Sequence, residues 1–328
     1  MTTHRIKPQM KYLFYLLFLL FLLFSCTSDK KINPEIERIP VHVVVERFDE
    51  KFAAATPESL QELKMEFPYL FPEKYADSIW EMKMKDTLQI ELQTEVHKVF
   101  VNFSAIEEEI KSLFQHLKYY FPLFQEPKIV AVISDVDYRN KIVVTDSLLI
   151  IGLDNFLGKE HYFYTDIPQY LSKNFTQEQL TPNIAEAYAE RIVPIPTSKT
   201  FLEALVYFGK INYLKETLLP FFEENRILGY TEAELQWAKE NESEIWRYFV
   251  EKELLYSSDP QLGPRFINPA PFSKFYLELD NESPGRLGQY MGWQIVRSYA
   301  KNNTISLQQL LKTNAEDLFN NSKFKPRK

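Results

Sequence analysis

"SPGRLGQYMGWQIVRSYA", residues 283–300, is the stretch on which a reading of this chain turns. Ser283 can cap a helix and Pro284 can occupy its first turn, so the spacing predicts a helix from that point. Gly288 and Gly292 then fall on one face, one turn apart. A glycine inside a helix costs roughly 1 kcal/mol against alanine. Two on one stripe make sense where another element packs very close to the backbone. Such spacing serves helix pairing in membranes. Arg286, Gln289, Gln294 and Arg297 on the same segment favour burial in a soluble domain, with Trp293, Ile295 and Val296 in its core. The polar residues carry a second reading, as the lining of a functional cleft.

Working outward, "RFINPAPFS" (265–273) is a proline-stiffened loop entering the same region, either a recognition edge or a rigid connection. It adds Arg265 and Asn268 to a candidate cleft or interaction set of Arg286, Gln289, Trp293 and Gln294. Helical periodicity fills most of the remainder. "TFLEALVYFGKINYLKETLLP" (200–220) places Leu202, Leu205, Val206, Gly209 and Tyr213 on one face, and "NIAEAYAERIVP" (183–194) follows a Thr181–Pro182 start signal. Capping boxes are expected at Thr231/Glu234, Ser306/Gln309 and Ser104/Glu107, and Asp86 is the expected N-cap of "DTLQIELQTEVHKVF". His97 and His116, on the two helices between residues 86 and 121, are expected at solvated positions.

The period changes in two places. "IPVHVVVERFD" (39–49) is nearly all apolar and predicts a strand covered on both faces, with His42 as a core histidine. "KIVAVIS" (128–134) and "KIVVTDSLLIIGLD" (141–154) predict two or three short strands, with turns at Asp135–Asp137 and Thr145–Ser147. The fold class is therefore α+β, mostly helical, around a small sheet that contains an antiparallel pair.

The N-terminus reads as export machinery. Arg5, Lys7 and Lys11 precede an apolar run from Tyr12 to Phe24, shorter than the roughly 20 residues a spanning helix needs. Leu23-Phe24-Ser25-Cys26 resembles a bacterial lipobox. The expected organisation is a lipoprotein signal peptide over 1–25, lipid attached at Cys26, a tether over 26–37 and one domain over 38–328. Cys26 is the single cysteine, so lipidation would leave no thiol for a disulfide, and stability must come from the core. Eight glycines against 26 phenylalanines suit an aromatic-packed helical body. The net charge of −7, with no basic block outside Lys323, Lys325, Arg327 and Lys328, argues against a nucleic-acid partner. No G-x-S-x-G elbow, phosphate-cradling glycine loop or G-x-G-x-x-G fingerprint is present.

Four stretches, with the lipobox, carry a resemblance. "IIGLDNFLGKE" (150–160), "GYTEAELQWAKENESEIWRYFVEKELLYSSD" (229–259), "RFINPAPFS" and the opening segment resemble the gliding-motility lipoprotein GldB family. The resemblance implies a lipid-anchored envelope protein facing the periplasm, required for gliding and working with other gliding or secretion machinery proteins. That family is in turn distantly similar to zincin peptidases, which order a sheet, an HExxH helix and a later helix with the third zinc ligand. Aligned so, the glutamate persists as Glu186, the imidazole positions are Ala185 and Ala189, and Phe208 takes the third-ligand position. The resemblance thus implies a degenerate zincin-like domain with no catalytic residue, no metal and no cofactor, acting as a scaffold or interaction protein. The alternative is a hydrolase or peptidase-like enzyme derived from a zincin fold.

Overall fold

The computed structural model describes residues 33–278 and 280–327. The expected signal peptide and Cys26 lie outside them. The folded unit begins at Pro34, where the helical turn Pro34–Glu37 buries Ile36.

Four strands form one mixed sheet: β1 (Val45–Arg47), β2 (Lys128–Val132), β3 (Ile142–Val144) and β4 (Leu148–Gly152), in the order β1-β2-β4-β3. β1, β2 and β4 run parallel, with Ile129 beside Leu149 and Ala131 beside Ile151, while β3 pairs antiparallel to β4 with Val143 opposite Ile150. Both faces are covered. Ile129, Ala131, Leu149 and Ile151 enter the main core, whereas Val130 turns to a smaller cluster of Phe52, Leu60, Leu63, Phe67 and Phe71. The long apolar runs of β2 and β4 follow from that double burial.

The 39–49 segment departs from expectation. Only Val45–Arg47 joins the ladder, and the residues before it alternate, with Val41 and Val43 half-buried and His42 and Val44 exposed. His42 therefore faces solvent, because successive side chains of an extended chain point to opposite sides. The two helical histidines differ as well. His97 is exposed, but His116 is buried, with Nδ1 2.7 Å from the Ser112 carbonyl, and burial pushes its pKa down.

The helices of eight or more residues among the described residues are α1 (Asp77–Met84), α2 (Thr87–Val99), α3 (Ser104–Tyr120), α4 (Leu180–Ile192), α5 (Phe201–Leu218), α6 (Glu232–Glu240), α7 (Glu242–Glu251), α8 (Leu287–Asn302) and α9 (Ala315–Ser322). Asp86 caps α2, and the boxes at Thr231/Glu234 and Ser306/Gln309 form as their spacing predicts. The Ser104/Glu107 box does not form. Glu107 Oε1 instead accepts the Val45 N–H at 3.1 Å, so a tertiary partner on β1 takes the carboxylate from its local role. α4 starts earlier than Thr181: the turn Gln177–Gln179 leads into it, and Thr181 Oγ1 donates to Glu109 Oε2 at 2.6 Å.

α5 and α8 form the centre of the helical part. Both glycine stripes meet there. A Cβ on Gly292 would overlap the Leu205 carbonyl oxygen, one on Gly209 would overlap the Gly292 carbonyl, and one on Gly288 would lie 2.8 Å from the Phe266 carbonyl oxygen. The helix pair crosses backbone to backbone, which only glycine permits. α8 begins at Leu287 rather than at Pro284, because the turn before it is held elsewhere. Ser273 Oγ donates to the Pro284 carbonyl at 2.8 Å and accepts the Leu287 N–H at 3.2 Å, and Arg286 takes a left-handed conformation with φ 60°.

Candidate functional site

Four parts of the chain bring the charged side chains of one cavity of about 420 Å³. The first is a face of α4. Asn183, Glu186, Ala187 and Glu190 recur at helical spacing and all line the cavity, while Ala185 and Ala189 point the other way into the core with no exposure. The second is the loop between β2 and β3, which brings Tyr138, Arg139 and Lys141. Its shape is set by Asp154, which is fully buried. One carboxylate oxygen accepts the Ser134 N–H (3.0 Å) and Oγ–H (2.9 Å), and the other accepts the Val136 N–H at 2.6 Å. Asn155 adds its Nδ2 to Ser134 Oγ at 2.9 Å. These bonds hold Asp135 and Val136 both at φ 57°, a strained conformation for a β-branched residue. Burial pushes the Asp154 pKa up, against the donors that favour its charged form.

The third part is Arg286. Its Nη2 donates to the Gly229 carbonyl at 2.9 Å, which also accepts Asn174 Nδ2 at 3.0 Å, and its guanidinium lies 5.3 Å from the Tyr230 ring centroid. Gly229 itself sits at φ 63°, so glycine is required at this turn. The fourth is Lys215 from α5, buried along its length, whose Nζ donates to Glu186 Oε2 at 2.8 Å.

The electrostatics follow from this arrangement. Glu186 faces the cavity with 42% of its side chain exposed, yet protein surrounds it at longer range. That enclosure would raise its carboxyl, but Lys215 above all, then Arg286 and Lys141, hold it below the ordinary carboxylate range. Glu190, exposed on the same face of α4, moves the other way: the surrounding protein and then the Glu186 charge push its carboxyl up. Burial brings the Lys141 ammonium down to about 8, against the attraction of Glu186 and with the repulsion of Lys215 and Arg286. Perturbed groups gathered in a cleft make it a candidate functional site.

The family model for gliding motility protein GldB matches residues 29–326. The chain belongs to the GldB family. A gliding-motility role comes with that membership. No curated protein and no solved structure matches this GldB-family chain.

Of the residues singled out from sequence, the structure brings Glu186 and Arg286 together in the cavity. The others lie elsewhere. Trp293 is fully buried, with Nε1 on Glu216 Oε2 at 3.0 Å and the Arg297 guanidinium 3.6 Å from its ring centroid. Gln294 is buried, Gln289 donates to the Ile267 carbonyl at 2.8 Å, and Asn268 is exposed. Arg265 ties its own loop, through the Lys274 carbonyl (2.8 Å) and the Tyr248 hydroxyl (3.0 Å). Phe208 packs against the core, and α5 reaches the cavity through Lys215 instead. Among the described residues, no group of three or more His, Cys, Asp or Glu side chains is placed to hold a metal.

Sequence reasoning missed Lys141, Lys215 and Asn183, and a reading of Glu186 and Glu190 as ordinary helix-surface acids is corrected by their place in the cavity wall. Lys215 had a signal. Ile211, Leu214 and Leu218 form an apolar stripe on α5, and Lys215 interrupts it. A lysine inside such a stripe needs a buried partner.

Proposed function

We propose that this protein is a lipid-anchored, non-catalytic component of the gliding apparatus, built on a zincin-like framework and facing the periplasm. The observation that carries the non-catalytic part is the ion pair of Glu186 and Lys215. In a zincin the helix glutamate acts as a base on metal-bound water. Here the carboxylate is held ionised against a buried lysine, and the residues on either side of the expected register, Ala185 and Ala189, are core side chains. Supporting the architectural part, α4 packs beside the antiparallel edge strand β3, and α5 follows it across the cavity. The gliding role comes with family membership, and the partners in this reading are other envelope proteins of that machinery. Among the described residues no helix is long and apolar enough to cross a membrane. The membrane attachment in this reading is lipid on Cys26, and a processed lipoprotein cysteine supplies the several acyl chains that stable anchoring needs.

Two measurements test the two halves. Cys26→Ser is expected to move the protein out of the membrane fraction and to abolish gliding; membrane retention with gliding intact would sink the anchor. Glu186→Gln is expected to leave gliding in place. Stoichiometric zinc in the purified protein, lost together with gliding in Glu186→Gln, would instead establish the hydrolase-like alternative.

A further inference from the structure

We propose that the cavity between α4, the Tyr138–Lys141 loop and Arg286 is a binding site for an oxyanion, the carboxylate or phosphate group of a small ligand. The inference does not depend on the gliding role or on the anchor. It rests on charge, on unsatisfied donors and on shape.

Four cations line the cavity, Arg139, Lys141, Lys215 and Arg286, against two carboxylates, Glu186 and Glu190. The whole chain carries −7, so the local excess of positive charge runs against the protein's overall balance. Glu186 is spoken for by Lys215, and Glu190 is exposed to solvent. Among the described residues Arg139, Lys141 and Arg286 have no ion-pair partner, and of these Lys141 and Arg286 act on Glu186 only at longer range. Among the described residues Lys141 Nζ has no hydrogen-bond acceptor; its one close neighbour is the face of Phe175, 5.2 Å from the centroid. Arg286 spends one nitrogen on Gly229 and leaves Nε and Nη1 without an acceptor. Both side chains are half-buried, so these donors open onto the cavity, where a ligand can reach them. An oxyanion seated between Lys141 and Arg286 would accept from both in charge-assisted bonds, the strong class of hydrogen bond.

The surroundings are built to present these two side chains. Arg286 adopts φ 60°, a left-handed conformation that non-glycine residues rarely take. The Asp154 clasp holds the turn that leads to Lys141, whose carbonyl accepts the Gly152 N–H at 2.8 Å. Strain at both approaches is the kind of backbone cost that clusters at ligand clamps. Tyr138, Tyr170 and Phe175 add aromatic walls to a volume within the roughly 300–1,000 Å³ of small-molecule sites. The perturbed Lys141 fits the same picture, since a bound anion would restore the proton that burial weakens.

The test uses the full chain purified in detergent, titrated calorimetrically at fixed ionic strength with inorganic phosphate and, separately, with N-acetylalanine as a peptide-type carboxylate. One of the two is expected to saturate at one site, and which one tells a phosphate from a carboxylate source. Lys141→Met and Arg286→Asn, the latter chosen because asparagine tolerates left-handed backbone, are expected to weaken that binding at least tenfold. Lys141→Arg is expected to retain it. Wild-type affinity should fall as pH rises from 7 to about 10, and the fall should be absent in Lys141→Met. Glu186, Glu190, Lys215, Arg139, Tyr138, Tyr170 and Arg286 also face Lys141, so the difference between the two pH curves isolates its contribution. Saturation by neither probe, or equal binding by wild type and Lys141→Met, would overturn the proposal.

Discussion

The α5–α8 crossing and the charged cavity lie side by side and share both helices, yet they are built by opposite rules. At the crossing, Gly209 and Gly292 remove side chains so that two backbones touch, and the surrounding Leu205, Trp293, Ile295 and Val296 exclude water. At the cavity, Lys215 on the same α5 and Arg286 at the start of the same α8 bring charge into a space left open. One region is close-packed, the other open and charged. Close packing makes the first intolerant of added atoms. The second tolerates a change of volume and answers to a change of charge. Substitutions that follow this division sharpen it, and a reversed order of effects would break it.

The largest effect is expected at the crossing. Gly292→Leu forces a branched side chain into the Leu205 carbonyl, and no rotamer change relieves a clash that begins at Cβ. A loss of more than about 3 kcal/mol follows from prying the helices apart, enough to deplete soluble protein. Thermal unfolding checks it; an unchanged melting temperature would place this face in the open. Next comes Asp154→Ala. It strips the acceptor from three part-buried donors, at a cost of about 2 kcal/mol. Denaturant unfolding reads that loss, and an effect equal to that of Gly292→Leu would show the loop to be as rigid as the core.

The same division decides what was legible in the sequence. Gly288, Gly292 and Gly209 stand on apolar stripes, and periodicity alone places them facing a neighbour. The antiparallel β3–β4 pair and the caps at Asp86, Thr231 and Ser306 were readable for a similar reason, since each depends on residues near one another in the chain. Where a distant group competes, local signals fail. Glu107 leaves its box for β1, Ser283 leaves its cap for Ser273, and His116 goes into the core. The cavity is wholly of this second kind. Lys141 lies just before a strand, and Lys215 is 29 residues from Glu186. Nothing in their spacing says that they meet. Glu186 and Arg286 stand out in the sequence for two unrelated reasons, and only the folded chain joins them.

Lys215→Met separates charge from packing within the cavity. Methionine keeps the volume and leaves Glu186 without its partner. Because Glu186 faces the cavity and keeps part of its hydration, the loss is discounted to about 1 kcal/mol. The sign with pH comes from the depressed Glu186 pKa. Its stabilisation is present above the ordinary carboxylate range and is lost as pH falls through the folded value, so wild type and Lys215→Met should converge in acid. Unfolding followed at neutral and acid pH decides this, and a gap that persists unchanged in acid would mean that Lys215 acts by packing alone.

The smallest effect, and the one of opposite sign, belongs to Lys141→Met. Below about pH 8 the lysine is charged in both the folded and the unfolded chain, and folding carries the cost of partly desolvating an ammonium that gains no acceptor. Between about 8 and the ordinary lysine range the folded protein releases a proton that the unfolded chain keeps, so wild-type stability gains with rising pH. Methionine removes the penalty at every pH. At neutral pH the variant should therefore be as stable as wild type or slightly more so, and above pH 10 any advantage should vanish. Lys210, brought down to about 8 by burial in the same way, contributes its own rise in both proteins, so only the difference curve reports on Lys141. A variant that is less stable than wild type at neutral pH would show that Lys141 supports the fold. A more stable one that has lost its anion would show that this cavity holds an unfavourable charge for the sake of a ligand.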